Sequence, residues 1–229
     1  MDRLIRALAI GSLGAAAASC SSSKATEADF VDPMLPGRAV NPEGVPYPTD
    51  HLGGSPRSGK RPGDRIPNFQ FQAYVDGDRA AGLKTISLAD YYDPQRVRYR
   101  ILHVEVAAVW CVICSNYADA TVIAKEPLAK EGVVYLEVII AGASGSGAGP
   151  SLGEVDAWVD RHHSNFTTAI DVRAGRLAGL GVPPQTEPWD IIIDTRTMEI
   201  LDSTAGAPLD IVTFDRSYLK LVESRPPAY

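Results

Sequence analysis

The chain has 229 residues, 45% of them apolar, and a formal net charge of −6. This acidic balance argues against a protein that binds nucleic acid through its phosphate backbone. The length allows one sizeable hydrophobic core once the N-terminal segments described next are set aside.

The first residues have the pattern of an export signal. Arg3 and Arg6 form a positive start, and small apolar residues follow over 7–18, too short a stretch to span a bilayer. The segment Ala17-Ala18-Ser19-Cys20 resembles the lipobox of bacterial lipoproteins, which are cut before a cysteine that is then lipidated. We therefore predict a lipoprotein signal peptide over 1–19 and a lipidated Cys20; ordinary secretory cleavage after Ala18 is the alternative. Either form exports the chain to a compartment where disulfides persist.

Residues 20–62 are predicted to be a disordered tether. Serine, proline and glycine recur along it, and neither helical nor strand periodicity is present. Such a spacer suits a domain held away from a membrane. The single domain that remains is predicted over 63–225.

Within the domain, short apolar runs alternate with helical patterns. Strands are predicted at 68–75, 84–88, 101–109, 133–140, 168–172, 189–194 and 199–202, helices at 111–125, 151–163 and 208–224, and a helical turn or two at 174–180. Ser151 and Glu154 form a capping box, and Pro127 is expected to break or kink the first helix. The order predicts an α/β fold whose central mixed β-sheet is flanked by helices, with an N-terminal β-hairpin extension.

Cys111 and Cys114 stand where the buried strand 101–109 gives way to a helix. The first sulfur would lie at the helix start, where unpaired backbone N–H groups and the positive end of the helix dipole stabilise a thiolate. The second would lie one turn on, close enough to form a disulfide. A bridge across one turn stabilises a fold poorly, so the position favours redox chemistry over a structural staple or a metal pair.

With this motif and element order together, the chain resembles the thioredoxin-like superfamily, in particular membrane-tethered TlpA/ResA-type thiol–disulfide oxidoreductases and related redoxins. The resemblance covers roughly 63–224. It rests on the entry motif at 64–69, the redox motif Trp110-Cys111-Val112-Ile113-Cys114, the strand 188–194, and Glu105, six residues before the first cysteine, at the place of a buried acid.

The resemblance implies a role for each residue of the site. Cys111 would attack a partner's disulfide and Cys114 would resolve the mixed disulfide. Pro188 would be a cis-proline facing the pair. Glu105 would accept the Cys114 proton if its side chain is buried with a raised pKa, or would be a plain outward-facing charge. His103 is interpreted as a packing or surface residue.

Three further residues are expected to meet the substrate. Trp110 and Trp189 would flank the disulfide, and Glu187 would place a negative charge near Cys111. A like charge raises the pKa of a thiolate and makes the couple more reducing, which predicts a reductant rather than a strong oxidant of the DsbA kind.

The chain also departs from the family pattern. Tyr117 stands where many TlpA/ResA-type proteins carry an acid, six residues after the first cysteine. Trp189 replaces the usual small polar residue after the proline. The Pro-x-x-x-Thr-x-x-Cys motif of peroxiredoxins is missing, which argues against peroxidase activity.

The predicted function is disulfide exchange with proteins of the cell envelope, supplied with electrons by a membrane or periplasmic donor and needing no cofactor. The alternative is a non-catalytic module of the same fold. It would be either a scaffold with a static disulfide or a metal carrier of the Sco type, which His162-His163 invites. Because Sco proteins carry Cys-x-x-x-Cys and adjacent histidines at a helix end are typical caps, no metal site is predicted.

Overall fold

The computed structural model describes Asp32 and residues 34–50, 61–145, 149–182 and 186–226. The predicted signal peptide and Cys20 lie outside these residues. Among the described residues the strands are β1 (Gln70–Tyr74), β2 (Lys84–Ser87), β3 (Ile101–Ala108), β4 (Val133–Ala141), β5 (Thr167–Ile170), β6 (Trp189–Asp194) and β7 (Glu199–Ala205), and the α-helices are α1 (Val112–Ala129), α2 (Leu152–His162) and α3 (Ile211–Ser224).

The described strands form one mixed sheet in the order β2-β1-β5-β4-β3-β6-β7. β3, β4 and β5 are parallel, whereas β1 and β6 pair antiparallel to their neighbours. Every residue of β3 is buried, as expected for a central strand covered on both faces. The predicted fold class, a mixed sheet with an N-terminal hairpin β1–β2, is confirmed.

The helices pack on one face of this sheet. Residues two apart on a strand point to the same side, so His103 and Glu105 of β3 share a face. Asp215 of α3 contacts His103, and Thr121 of α1 contacts Glu105. Trp158 of α2 donates to Glu137 of β4, the strand neighbour of Glu105, so α2 lies on the same face.

The chain before residue 63 helps to cover the other face. Tyr47 is buried in the same hydrophobic cluster as Leu102 and Val104 of β3, and its hydroxyl donates to the Ile66 carbonyl at 2.7 Å. The prediction of a disordered tether over 20–62 is therefore wrong for residues 34–50. Burial of a large aromatic side chain offsets the entropy lost on ordering this proline-rich segment.

A buried ion pair secures the start of this segment. Both guanidinium NH groups of Arg176 contact the Asp32 carboxylate, at 2.7 and 2.6 Å, and one of them also lies 3.0 Å from Asp171. The Arg176 side chain is only 2% exposed, and it lies over the ring of Phe71. Asp32 is thus packed against the domain, although it precedes the predicted boundary at residue 63.

α1 continues through Pro127 to Ala129, so the predicted break there is wrong. Pro127 lies in the last turn, where it removes only the bond to the carbonyl of Ile123. The Ile123 side chain is exposed, and this side of the helix has access to water. Val112 is exposed as well. The buried face of α1 is formed by Cys114, Tyr117, Ala118, Thr121, Ala124 and Leu128.

The start of α2 confirms the predicted capping box. Ser151 accepts from the Glu154 backbone N–H, and Glu154 accepts from the Ser151 backbone N–H. His163 ends the helix in the left-handed conformation, with φ 51°. Within the described part of the chain, no helix combines the length and apolar character that crossing a bilayer requires.

Candidate active site

Cys111 and Cys114 form a disulfide at the start of α1, with their Cα atoms 5.2 Å apart. Cys111 is the N-cap residue, and its sulfur accepts from the Cys114 backbone N–H at 3.1 Å. Cys111 is 5% exposed and Cys114 is 0% exposed. Cys111 is therefore the more exposed of the two residues, as predicted, although it is less exposed than the sequence suggested.

The local chain explains this placement. β3 ends at Ala108, and the Cys111 N–H donates back to the Ala108 carbonyl at 3.0 Å, which closes a tight turn. Cys111 keeps extended backbone angles while the next residue enters the helix. The sulfur is thereby held over the unpaired N–H groups of the first helical turn.

The segment before β6 meets the cysteine pair. The Glu187–Pro188 peptide bond is cis, Pro188 is buried, and the Glu187 carbonyl oxygen lies 3.6 Å from the Cys111 sulfur. The structure thus brings the Glu187 carbonyl, and with it the cis Glu187–Pro188 bond, to the cysteine pair, where the family resemblance implied a cis-proline. The effect of the Glu187 charge on Cys111 stays a prediction.

The surface beside the pair is apolar. Trp110, Val112 and Ile113 are all exposed next to Cys111. Trp189 is half-buried at the start of β6, and its indole N–H donates to Ser203 of β7 at 3.0 Å. Trp110 is thus available to a docking partner, while Trp189 is held against the sheet.

Glu105 lies beneath α1 and is buried. Its Oε2 accepts from the Thr121 hydroxyl at 3.1 Å, and its Oε1 has no hydrogen-bond partner among the described residues. Burial, followed by the charges of Glu137 and Asp190, raises the pKa of Glu105 well above its usual value. The alternative of an outward-facing surface charge is wrong.

Glu105 belongs to a row of acids that the sequence analysis missed. It pairs with Glu137 of the parallel strand β4 and with Asp190 of the antiparallel strand β6, so the three carboxyls lie side by side across the middle of the sheet. All three residues are buried. One signal was present in the sequence, because β3 and β4 each carry an acid at the centre of an apolar run and β6 carries one at its second residue.

His103 is buried at one end of this row. Its Nδ1 lies 2.8 Å from Asp215 and its Nε2 lies 3.1 Å from Asp190. Burial alone would lower the pKa of His103, but the charges and hydrogen bonds of the two aspartates outweigh it and hold that pKa well above its usual value. The Tyr117 hydroxyl is 3.2 Å from Nε2, and the Tyr135 hydroxyl donates to Asp215. His103 is therefore a buried packing residue, not a surface residue, and its hydrogen bonds to two aspartates were not predicted.

Glu137 lies at the other end of the row, beside α2. Burial raises the pKa of Glu137 to about 7, and hydrogen bonds from Trp158 and Thr168 oppose the rise. The Trp158 indole N–H lies 3.0 Å from both carboxylate oxygens, and the Thr168 hydroxyl lies 3.2 Å from one of them. These donors favour the ionised form of Glu137 within an apolar interior.

This environment predicts a pH dependence of stability. A buried acid whose pKa is raised to about 7, against about 4.3 in the unfolded chain, binds more protons when folded. Stability is therefore expected to fall as the pH rises between these two values, by about 4 kcal/mol for Glu137. The raised pKa values of Glu105 and His103 add to this decline, because each also favours proton binding by the folded state.

Urea unfolding at four pH values from 5 to 8 measures this effect. Glu137→Gln should flatten the decline between pH 5 and 7, and the exposed Glu126→Gln should not. A wild-type stability that rises over this range would contradict the expectation.

His162 ties α2 to α1 close to the cysteine pair. Its Nδ1 lies 2.7 Å from Asp119 and its Nε2 lies 3.3 Å from the Ser115 hydroxyl, so both ring nitrogens are engaged. His163 caps the helix, as predicted. The residues described here contain no group of three or more His, Cys, Asp or Glu side chains arranged to hold a metal ion.

The cysteine pair lies at the start of the helix that follows a central strand, and a cis-proline precedes the antiparallel strand beside it. These features place the protein in the thioredoxin-fold class with a Cys-x-x-Cys pair. Three solved structures illustrate the likeness. The first is described as a thiol:disulfide interchange protein DsbE from Chlorobium tepidum, with a TM-score of 0.53, 18% identity, and coverage of 70% of this chain and 97% of that one.

The second is the thioredoxin domain of a thiol-disulfide oxidoreductase from Bacteroides vulgatus, with a TM-score of 0.52, 12% identity, and coverage of 69% and 97%. The third is a 2-Cys peroxiredoxin from Plasmodium vivax, with a TM-score of 0.52, 12% identity, and coverage of 72% and 95%. At these identities the likeness establishes the fold. Neither a protein-family model nor a curated protein matches the sequence.

Proposed function

We propose that this protein is a thiol–disulfide oxidoreductase that exchanges the Cys111–Cys114 disulfide with protein partners. The observation that carries the proposal is the position of the Cys111 sulfur. It caps α1 and accepts the backbone N–H of Cys114, the residue one helical turn further on, at 3.1 Å. Such a position stabilises the thiolate that attacks a disulfide.

The proposed cycle moves two electrons. The Cys111 thiolate attacks a client disulfide, and one client sulfur leaves as a thiolate. Cys114 then loses its proton to Glu105 and attacks the Cys111 sulfur, which releases the second client thiolate and forms the intramolecular disulfide. A dithiol donor of the cell envelope then reduces the Cys111–Cys114 disulfide and is itself oxidised to a disulfide, which restores both thiols.

The exposed apolar residues Trp110, Val112 and Ile113 support a protein client. An extended client segment could lie over them and against the Glu187 carbonyl, which is 3.6 Å from the reacting sulfur. Trp189 would border this segment. The direction of electron flow is proposed to be reductive. The Glu187 backbone lies beside Cys111, and a negative charge on its side chain would disfavour the Cys111 thiolate.

The midpoint potential tests this direction. Titration against glutathione should give a value nearer that of thioredoxin, about −270 mV, than that of DsbA, about −120 mV. Glu187→Gln should raise the potential by up to about 30 mV for each unit by which the pKa of Cys111 falls. The matched control is Glu126→Gln, on the exposed side of α1. A wild-type value close to that of DsbA would refute a reductive role.

Export and a lipid anchor on Cys20 remain part of the proposal and are supported by the N-terminal sequence pattern alone. If Cys20 is the anchor, only twelve residues along the chain separate it from Asp32, whose carboxylate is bound to Arg176. Twelve extended residues span at most about 40 Å. The domain would then work close to the membrane surface, not at the end of a long tether.

One observation favours the alternative of a static disulfide in a scaffold. Cys111 keeps only 5% of its surface exposed, whereas an attacking thiolate must reach a partner's sulfur. The matched cysteine variants described in the Discussion separate the two functions.

A further inference from the structure

The cysteine pair and the start of the packed N-terminal segment lie at the same edge of the sheet. β3, β4 and β5 run parallel, so their carboxyl ends meet at one edge. Cys111 follows the end of β3, and the Val172 backbone N–H, just after β5, donates to the Asp32 carboxylate at 3.3 Å. Only β4 stands between β3 and β5, which puts the ends of these two strands about 10 Å apart. This edge, which carries Cys111 and Asp32, is called the redox edge below.

Large apolar side chains are exposed along the redox edge. Met34 and Leu35 come shortly after Asp32 and are 59% and 51% exposed, and Met34 lies beside Gly175 in the turn after β5. Ten large apolar side chains are exposed among the described residues, and half of them belong to the segments that begin at Asp32 and follow β3: Met34, Leu35, Trp110, Val112 and Ile113.

The segments of the redox edge also carry little charge. No Asp, Glu, Lys or Arg occurs in 34–37, in 107–116 or in 141–145, which follows β4 between the other two, although 22% of the whole chain is charged. Arg173 in the turn after β5 is exposed, and it is a cation. An anionic lipid surface would repel much of a protein with a net charge of −6, but it would not repel this edge.

The acids beside these segments are paired, capped or partly buried. Asp32 and Asp171 share the Arg176 guanidinium. Glu154 accepts from two backbone N–H groups at the start of α2, and Glu187 is half-buried. The redox edge is therefore the part of this acidic domain best suited to lie against lipid.

We infer that Met34 and Leu35 insert into the surface of the bilayer that anchors Cys20, and that they thereby turn the redox edge toward the membrane. This inference rests on the lipid anchor of the proposed function. It adds to that function an interaction surface and its partner, a lipid surface.

The point at which the chain leaves the domain supports this orientation. Twelve residues separate Cys20 from Asp32, so the redox edge is tied to the anchor within about 40 Å. Apolar side chains beside such an attachment point meet the bilayer often, and binding to its interface grows with the apolar area that is buried. Trp110 is 39% exposed, and tryptophan favours the headgroup level of a membrane. A client would then reach Cys111 at the membrane surface.

Quenching of tryptophan fluorescence by brominated lipid tests the orientation. The lipidated full-length protein is reconstituted in vesicles of phosphatidylethanolamine and phosphatidylglycerol, with or without bromine near the start of the acyl chains. Because Trp158 is buried and Trp189 is half-buried, the difference between the wild type and Trp110→Phe isolates the exposed indole. Its emission should be quenched in the brominated vesicles.

The double variant Met34→Ser with Leu35→Ser should lose most of this quenching while its anchor keeps it on the vesicles. Val97→Ser is the matched control. The Val97 side chain is 82% exposed but precedes β3, at the opposite edge of the sheet, so its replacement should leave the quenching unchanged. Equal quenching in the double variant and the wild type would overturn the inference, and so would a lipidated wild type without quenching.

A photo-crosslinking amino acid at position 35 identifies what covers this surface. We expect it to label lipid in the same vesicles and in whole cells. Labelling of a second copy of the chain, or of a client protein, in place of lipid would overturn the inference and assign the surface to protein docking.

Mass spectrometry of the N-terminal peptide separates the two possible failures. A Cys20 without lipid would refute the anchor and the inference together. A lipidated Cys20 without quenching would refute the inference and leave the anchor intact. Disulfide exchange is measured separately, by the reduction of insulin.

Discussion

Cys111→Ser is expected to reduce the rate of insulin-disulfide reduction to that of the buffer control. A serine hydroxyl does not ionise near neutral pH, so no nucleophile remains at the start of α1. Cys114→Ser should also stop turnover, but at a different step. Its Cys111 thiolate still attacks the client and then stays in a mixed disulfide, because the resolving sulfur is missing.

The two variants are matched controls for each other. Each removes the same four-residue bridge, whose contribution to stability is about 2 kcal/mol in the chain-entropy treatment. Similar unfolding free energies together with trapped client only in Cys114→Ser would establish Cys111 as the attacking group. Mass spectrometry of the trapped species identifies the client. A wild-type protein that reduces no disulfide, with neither variant trapping a partner, would leave the static scaffold as the better account of the fold.

Arg176→Met should lower the free energy of unfolding by about 3–5 kcal/mol, as expected when one member of a buried ion pair is removed. Arg176 is 2% exposed and lies between Asp32 and Asp171, which are 5% and 0% exposed. Methionine fills much of the same volume but leaves both carboxylates buried without their cation. The loss should appear in urea unfolding monitored by circular dichroism.

Arg216→Met is the matched control, because Arg216 pairs with Glu131 on the protein surface. It should unfold at nearly the same urea concentration as the wild type. Cleavage of the segment 34–50 by added protease should also be faster in Arg176→Met, since this ion pair secures the start of the segment. A loss of stability no greater than that of the control would show that the segment is not an integral part of the domain.

Much of the site follows from local pattern. A buried strand followed by two cysteines three residues apart predicts a thiol pair at a helix start, and both the strand and the pair are where the sequence predicts them. Glu105 and Pro188 were expected from the resemblance of short segments to those of thioredoxin-like proteins. These features depend on contacts near in sequence or on motifs a few residues long.

The neighbours of Glu105 were not predictable in the same way. Glu137, Asp190 and Asp215 are separated from it by tens to more than a hundred residues. Glu137 is a single acid in an apolar strand, Asp190 is one of two acids in β6, and Asp215 is one of several polar residues of α3. Only the strand order and register place Glu137 and Asp190 beside Glu105 in one row, and only the packing of α3 on the sheet brings Asp215 to His103.

The N-terminal segment teaches the same point. Its proline and glycine content is typical of a linker, yet Tyr47 and Asp32 have partners in the folded domain, the Ile66 carbonyl and the Arg176 guanidinium. Composition measures how costly a segment is to order. It does not measure the partners that the folded domain offers in return.

By itself, then, the sequence determined the alternation of strands and helices, the thiol pair and its position at a helix start, because these depend on periodicity and on residues adjacent along the chain. The tertiary structure alone decided how far the domain extends toward the N-terminus and which carboxyls surround Glu105. Both depend on burial and charge between residues far apart in the chain, and those energies exist only once the sheet has assembled.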